Sequence, residues 1–332
     1  MRKEKTVNIN HGILTAKQCA SPKASKSSLH PDSERYPVPP PTSLPNPNTT
    51  SNTPNPGPDK NKNLTQARQK VLEAASNGAN LIILPECFNS PYSTAQFRAY
   101  AEPLSASPDK TQSPSFVALA QMARDSGAFL IGGTVPEHEP HTDRIYNTSA
   151  VYSPQGELLA SHRKMHLFDI DVPGGMSFHE SDTLSPGDRI TVVDLDGYGR
   201  VGLGICYDMR FAEPSAIAAR HGAFALVFPS AFNTTTGPLH WELLGRARAV
   251  DNQVYGVLCS QARGPDGGYP AWGYSLVADP MGRVVAGLDE KEGIVYAVLE
   301  PGVIRETRVA IPVTGQRRFD VYPDLGELVR LG

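Results

Sequence analysis

Cysteine and tryptophan are scarce in this 332-residue sequence, with four of the first and two of the second. The cysteines, at positions 19, 87, 206 and 259, are too few and too scattered for a disulfide framework, and none forms a CxxC pair or a Cys/His cluster at metal-ligand spacing. A reducing compartment suits such a chain. An excess of charge is also missing: 31 Lys and Arg against 34 Asp and Glu leave a net charge of −3, which speaks against nucleic acid as a partner. No apolar run reaches the roughly 18 residues that a membrane helix needs. The opening, MRKEKTVNINHGILTAKQ, lacks the apolar block of a secretory signal, and its few lysines and single arginine give only weak support to a mitochondrial address. The reading is a cytoplasmic chain with no membrane partner.

Proline, by contrast, is concentrated. Residues 22–60 hold eleven prolines among Ser, Asn, Thr and Lys. Such a composition buries too little apolar surface to offset chain entropy, so 22–59 is expected to be a disordered insertion between an N-terminal segment, 1–21, and a domain spanning 60–324. From Asn63 the texture changes. Leu64, Ala67, Val71, Leu72 and Ala75 recur at helical spacing, Gly78 stops the helix, and ANLIILPE reads as a buried strand. The same phrase returns at 113–137 and 213–233. Between and after these lie hairpin patterns with turns at Gln155-Gly156, Asp196-Gly197 and Met281-Gly282. Apolar strands after helices, together with hairpin-linked strands, predict a layered α/β domain with mixed sheets.

Three reactive side chains each follow an apolar strand. In VGLGICYDMRF, Cys206 is either a small packing residue or a nucleophile. In LIILPECF, Glu86 is either a surface carboxylate just past the strand or a buried one with a raised pKa. In ASHRKMHLFDID, His162, Arg163 and Lys164 form either a solvated basic end or a site. Together, Cys, Glu and Lys supply a nucleophile, a proton carrier and a cation for a developing oxyanion, the requirements of amide cleavage. Strand ends are also where α/β sheets collect ligands. Cys87 is assigned to the core because neighbours on a strand face opposite ways. His162, His166 and His240 would permit a Cys-His hydrolase, but no accompanying Asn or Asp motif of such families is present, and His166 is taken as a structural hydrogen-bonder. Arg246 and Arg248 are either a helix's polar face or interface pairs, with a slight preference for the latter.

The stretches LPECFNSPY, HRKMHLFDIDVPG, GLGICYDMRFAEP and AFNTTTGPLHWELLGRARAVDNQVY, in this order from about Asn63 to Pro323, closely resemble the motifs of the nitrilase (carbon-nitrogen hydrolase) superfamily and, within it, of the omega-amidase branch. The resemblance implies a four-layer αββα sandwich of two mixed sheets covered by helices, and pairing of two protomers as a homodimer. It implies Glu86 as general base, Lys164 as oxyanion stabiliser, Cys206 as nucleophile and Glu180, in SFHE, as the residue orienting the lysine. No metal and no organic cofactor is implied. The partners are a small amide and water. Tyr92, the backbone N–H of Tyr207, Arg210 and Thr235 are the candidates for substrate and oxyanion contact; Arg210 stands equally as an ion-pair partner of Asp208 or Glu213.

The sequence also departs from the family. The only candidate for its apolar first strand is GILTAKQCAS, 12–21, where Lys17 suits a buried strand poorly. Ser93, Ser230 and Tyr274 replace the usual Gly, Gly and His, and the two serines are expected to narrow the pocket. The implied activity is hydrolysis of short dicarboxylic acid monoamides such as 2-oxoglutaramate and 2-oxosuccinamate. The alternatives are deaminated glutathione or an N-carbamoyl amino acid as substrate, and an inactive paralogue acting as a binding protein.

Overall fold

The computed structural model describes residues 48–105, 107–173, 177–264, 268–329 and 331. In chain order the strands are β1 (Asn48–Asn52), β2 (Leu81–Ile83), β3 (Phe129–Ile131), β4 (Val135–Glu139), β5 (Arg144–Tyr152), β6 (Leu158–Arg163), β7 (Asp169–Asp171), β8 (Ser177–His179), β9 (Thr191–Leu195) and β10 (Gly199–Leu203). They continue with β11 (Ala223–Ser230), β12 (Tyr255–Ser260), β13 (Leu276–Ala278), β14 (Val284–Gly287) and β15 (Gly293–Ala297). The helices are α1 (Lys60–Ser76), α2 (Thr94–Tyr100), α3 (Pro114–Ser126), α4 (Ala212–Arg220), α5 (Gly237–Asn252), α6 (Pro301–Ala310) and α7 (Leu325–Leu328).

One mixed sheet runs β15-β1-β2-β3-β5-β4, with β6 also on β5, and a second runs β14-β13-β12-β11-β10-β9. The sheets face each other across Ile83, Ile131 and Val295 of the first and Val201, Val227 and Val257 of the second. The outer face of the first sheet packs on α1 and α3 through Val71, Phe116 and Leu119, and that of the second on α4 and α5 through Ala218, Trp241 and Ala249. This is the four-layer αββα sandwich. The two-sided burial explains why β2, β11 and β12 are buried along their whole length and mostly apolar rather than alternating.

The hairpins form as the turn pairs require. Gly156, Gly197 and Gly282 all take φ +77°, and β5–β6, β9–β10 and β13–β14 pair antiparallel. Helix α1 begins where Asp59 accepts the Lys62 N–H, and α3 ends on left-handed Gly127.

The N-terminal reading needs correction. Residues 48–52, inside the stretch taken as a disordered insertion, form β1, which is antiparallel to β15 and parallel to β2. The backbone ladder on both edges holds this strand although its sequence, NTTSN, is polar. Thr50 is fully buried there. The chain then runs as ordered backbone into α1, so the domain begins before residue 60; at its other end it continues past 324 into α7, which the Arg220–Asp324 ion pair ties to α4. The candidate first strand at 12–21, and residues 22–47, lie outside the described residues. Among the described residues no helix is long and apolar enough to cross a membrane.

Candidate active site

Three strand ends deliver the site. Glu86 lies three residues beyond β2, Lys164 directly follows β6, and Cys206 lies three residues beyond β10. Along HRK the two-residue period of a strand decides which side chains enter: His162 and Lys164 are completely buried, whereas Arg163, on the opposite face, pairs with Glu137 and Glu139.

Lys164 Nζ stands 3.0 Å from Glu86 Oε1 and 2.9 Å from the Glu180 carboxylate. Burial alone would lower the ammonium's pKa, but Glu180 and Glu86 together hold it well above its ordinary value. Glu180 is fixed in turn by the Tyr92 hydroxyl at 2.6 Å and the Phe168 N–H at 2.7 Å. Glu86 Oε1 also accepts the Asn147 amide at 2.7 Å, while Oε2 is left without a well-formed hydrogen bond; the Cys206 thiol interacts with this carboxylate. Burial raises the Glu86 pKa, and Lys164 offsets part of that rise. Burial and the facing Glu86 both push the Cys206 thiol up, so the resting cysteine is neutral and needs a base to take its proton.

Cys206 opens a short turn, Cys206–Arg210, with φ +46°, a left-handed value that costs a non-glycine residue about 1–3 kcal/mol. Its surroundings hold it there. Asp208, itself buried, accepts the Ile205 N–H at 2.9 Å and the His166 N–H at 2.9 Å, and pairs with the rings of His162 at 3.2 Å and His166 at 2.8 Å. The Lys164 segment and the Cys206 turn are therefore clamped by one carboxylate. Arg248 closes the other end of the turn, donating to the Met209 and Arg210 carbonyls at 2.9 and 3.1 Å. Gly204 is needed because a Cβ there would stand 2.6 Å from the Phe228 ring.

Phe168, Cys206, Tyr207, Arg210, Phe232 and Thr236 line a cleft of about 190 Å³, counted to its open mouth. Arg210 makes no ion pair with Asp208, which the two histidines occupy, nor with exposed Glu213. Its guanidinium lies over the Tyr207 and Phe232 rings at 5.4 and 5.1 Å, donates to His240 Nδ1 at 3.2 Å and leaves Nε without a partner.

Several expectations change here. The Tyr92 hydroxyl donates to Glu180 at 2.6 Å, and Tyr92 is not among the residues that line the cleft. Thr235 is exposed, and its neighbour Thr236 lines the cleft. Ser230 turns its hydroxyl onto the Phe228 carbonyl, and Ser93 precedes α2; neither lines the cleft. Arg248 and Arg246 are engaged within the chain, the latter on the Gly282 carbonyl. His162 and His166 serve Asp208 and His240 serves Arg210. Cys87, also at positive φ, takes Thr134 as its partner within a small apolar cluster.

The reading from sequence missed Asn147, Asp208 and Gln261, whose amide holds the Glu86 carbonyl at 2.6 Å. Asn147 was legible: the hairpin at Gln155-Gly156 sets Thr148 opposite Arg163, which places Asn147 beside Lys164. Among the described residues no group of three or more His, Cys, Asp and Glu side chains could hold a metal ion.

The carbon-nitrogen hydrolase family matches this chain over residues 50–309. The chain is a member of the carbon-nitrogen hydrolase family. Among its relatives is the omega-amidase NIT3 of Saccharomyces cerevisiae, 56% identical over 245 residues that cover 74% of this chain and 83% of that protein. The omega-amidase NIT2 of Mus musculus is 51% identical over 260 residues, 78% of this chain and 91% of that one. The crystal structure of Saccharomyces cerevisiae Nit3, a member of branch 10 of the nitrilase superfamily, superimposes with a TM-score of 0.76 at 48% identity, covering 82% of this chain and 96% of that one. An amidase mutant from Nesterenkonia sp. AN1, described with acrylamide added at its active site cysteine, reaches a TM-score of 0.64 at 25% identity over 81% of this chain and 99% of its own. This carbon-nitrogen hydrolase is thus an enzyme of the amidase kind, with a nitrilase-type sandwich.

Proposed function

We propose that this carbon-nitrogen hydrolase is an omega-amidase that converts short dicarboxylic acid monoamides, such as 2-oxoglutaramate and 2-oxosuccinamate, to the diacid and ammonia through a cysteinyl thioester. The observation that carries the substrate class is Arg210, a guanidinium that has no acidic partner among the described residues and lines the cleft that holds Cys206. Arg offers a planar fork to a carboxylate, so the far end of a monoamide meets it while the amide carbon lies over the thiol. The omega-amidase names of the relatives support the same reading.

The chemistry follows from the geometry. Glu86 takes the Cys206 proton as sulfur attacks the amide carbon, and Lys164 with the Tyr207 N–H receives the oxyanion. Glu86 then protonates the departing nitrogen, ammonia leaves and the thioester remains. Water enters, Glu86 takes its proton, the hydroxide adds to the thioester carbon, and collapse expels the thiolate, which recovers the proton from Glu86. Lys164 stays charged throughout, because two carboxylates hold its proton. Glu180 keeps it in place.

The test is succinamate against butyramide, equal in length but differing by the carboxylate. The kcat/KM for butyramide is expected to be lower by about two orders of magnitude, about 3 kcal/mol. Arg210→Ala should erase most of that ratio. Comparable values for the two amides in the wild-type enzyme would remove the omega-amidase reading and leave a generic thiol amidase.

A further inference from the structure

Away from the catalytic cleft, a second concavity lies where the C-terminal segment crosses the outer helices. It encloses about 280 Å³ up to its open mouth and is lined by Ala219 and Arg220 of α4, Asn252 at the end of α5, Arg308 of α6, and Thr314 and Arg317 of the following turn. Three of the seven residues that line it are arginines, drawn from three separate elements. Such a concentration of one charge in a concave place is costly unless something neutralises it.

The compensation within the chain is incomplete. Arg220 is paired with Asp324 and stacks on Phe319 at 4.3 Å. Asp251, the other nearby acid, gives its carboxylate to Arg248 and only its backbone carbonyl to Arg317, at 2.7 Å. Arg308 forms no ion pair among the described residues; its Nε is buried without a partner, and burial pulls its pKa below the ordinary value. Among the described residues, the cavity therefore carries two positive charges, Arg308 and Arg317, that no carboxylate balances.

The walls are also built rather than incidental. Gln253, at φ +51°, donates to the Ile311 carbonyl at 2.6 Å and accepts from the N–H and hydroxyl of Thr314 at 3.1 and 2.8 Å. The turn bearing Thr314 and Arg317 is thereby fastened to the end of α5, facing α6. Guanidinium groups brought from three elements suit a compact anion that accepts hydrogen bonds in several directions, which a tetrahedral phosphate does better than a planar carboxylate.

We propose that the cavity formed by Arg220, Arg308 and Arg317 is a binding site for a small phosphate anion, distinct from the catalytic cleft. Free phosphate and the phosphoryl group of a small metabolite share this chemistry. The site does not depend on which amide the enzyme cleaves.

The test uses the full chain and inorganic phosphate, with titration calorimetry and thermal melting against sodium chloride of equal ionic strength. Phosphate should bind and raise Tm where chloride does not. Arg308→Gln and Arg317→Gln should each weaken phosphate binding by about tenfold or more, with ammonia release from succinamate within about twofold of wild type. Arg210→Ala should leave phosphate binding unchanged. Succinate should bind here more weakly than phosphate, and a small phosphate monoester tighter than phosphate would identify the metabolite as the source. Absence of phosphate binding, retention of full affinity in Arg317→Gln, or loss of it in Arg210→Ala would each overturn the proposal. Arg317 is half-exposed and ties down no core element, so its variant decides the matter even where Arg308→Gln fails to fold.

Discussion

Two buried cysteines interact with the same carboxylate, Glu86, and their surroundings assign them different work. Cys206 opens onto the cleft, whereas Cys87 is enclosed with Phe97, Ile145 and Leu184 and rests against Thr134. Cys206→Ala should reduce ammonia release to below about a thousandth of wild type while Tm moves by a few degrees at most. Cys87→Ala should keep most of the activity; equal losses in the two variants would refute the assignment of the nucleophile. The pH profile tests Glu86. It must be ionised to accept the thiol proton, and burial raises its pKa above the ordinary 4.5. Activity should therefore decline on acidification at a pH above that of a free carboxylate, and a kcat/KM profile flat down to pH 4.5 would contradict its role as base.

At the scale of elements, the site depends on how one turn and two strands are held. Asp208 joins the Cys206 turn to the segment after β6 and is itself held ionised by His162 and His166, whose hydrogen bonds outweigh the effect of burial. In Asp208→Asn the amide would turn a donor toward groups that already donate. We expect a loss of about 3 kcal/mol of stability and a fall in kcat larger than the change in KM. Because the folded Asp208 has a depressed pKa, its contribution is complete above its unfolded value of 3.8 and fades as pH falls below it. Denaturant midpoints of wild type and variant should converge there. Strand β1 presents the opposite case, a polar strand in the interior of a sheet. Thr50 is fully buried and its hydroxyl has no hydrogen-bond partner. Thr50→Val keeps the shape and removes that unpaired group, so it should stabilise the protein by about 1–2 kcal/mol in urea titrations; destabilisation would show the hydroxyl to be satisfied.

For the whole molecule, one outward stripe stands out. Leu239 and Leu243, 65% and 62% exposed, and Val250, 44% exposed, recur at helical spacing along α5. Apolar side chains so placed on a water-facing helix suit pairing with a second copy, where each copy covers the other's stripe. Light scattering after size exclusion is expected to give a dimer, and Leu243→Asp a monomer that remains folded. A wild-type monomer at micromolar concentration would rule this out. Deleting the proline-rich stretch 22–59 would remove β1 and leave β15 and β2 without the strand between them.

The layered α/β class, the three hairpins and the three strand ends bearing Glu86, Lys164 and Cys206 are legible in the amino-acid order alone, because they rest on local periodicity, turn chemistry and position along a strand. The first strand is not legible there. Hydrophobic pattern is the only local mark of a buried strand, and NTTSN has none; its place comes from backbone bonds to β15, some 240 residues away. Tertiary structure likewise decided that Tyr92 serves Glu180, that Thr236 and not Thr235 reaches the cleft, and that Arg210 is free of Asp208. Each of those outcomes depends on which side chain reaches a shared partner first in three dimensions, and no spacing along the chain records that competition.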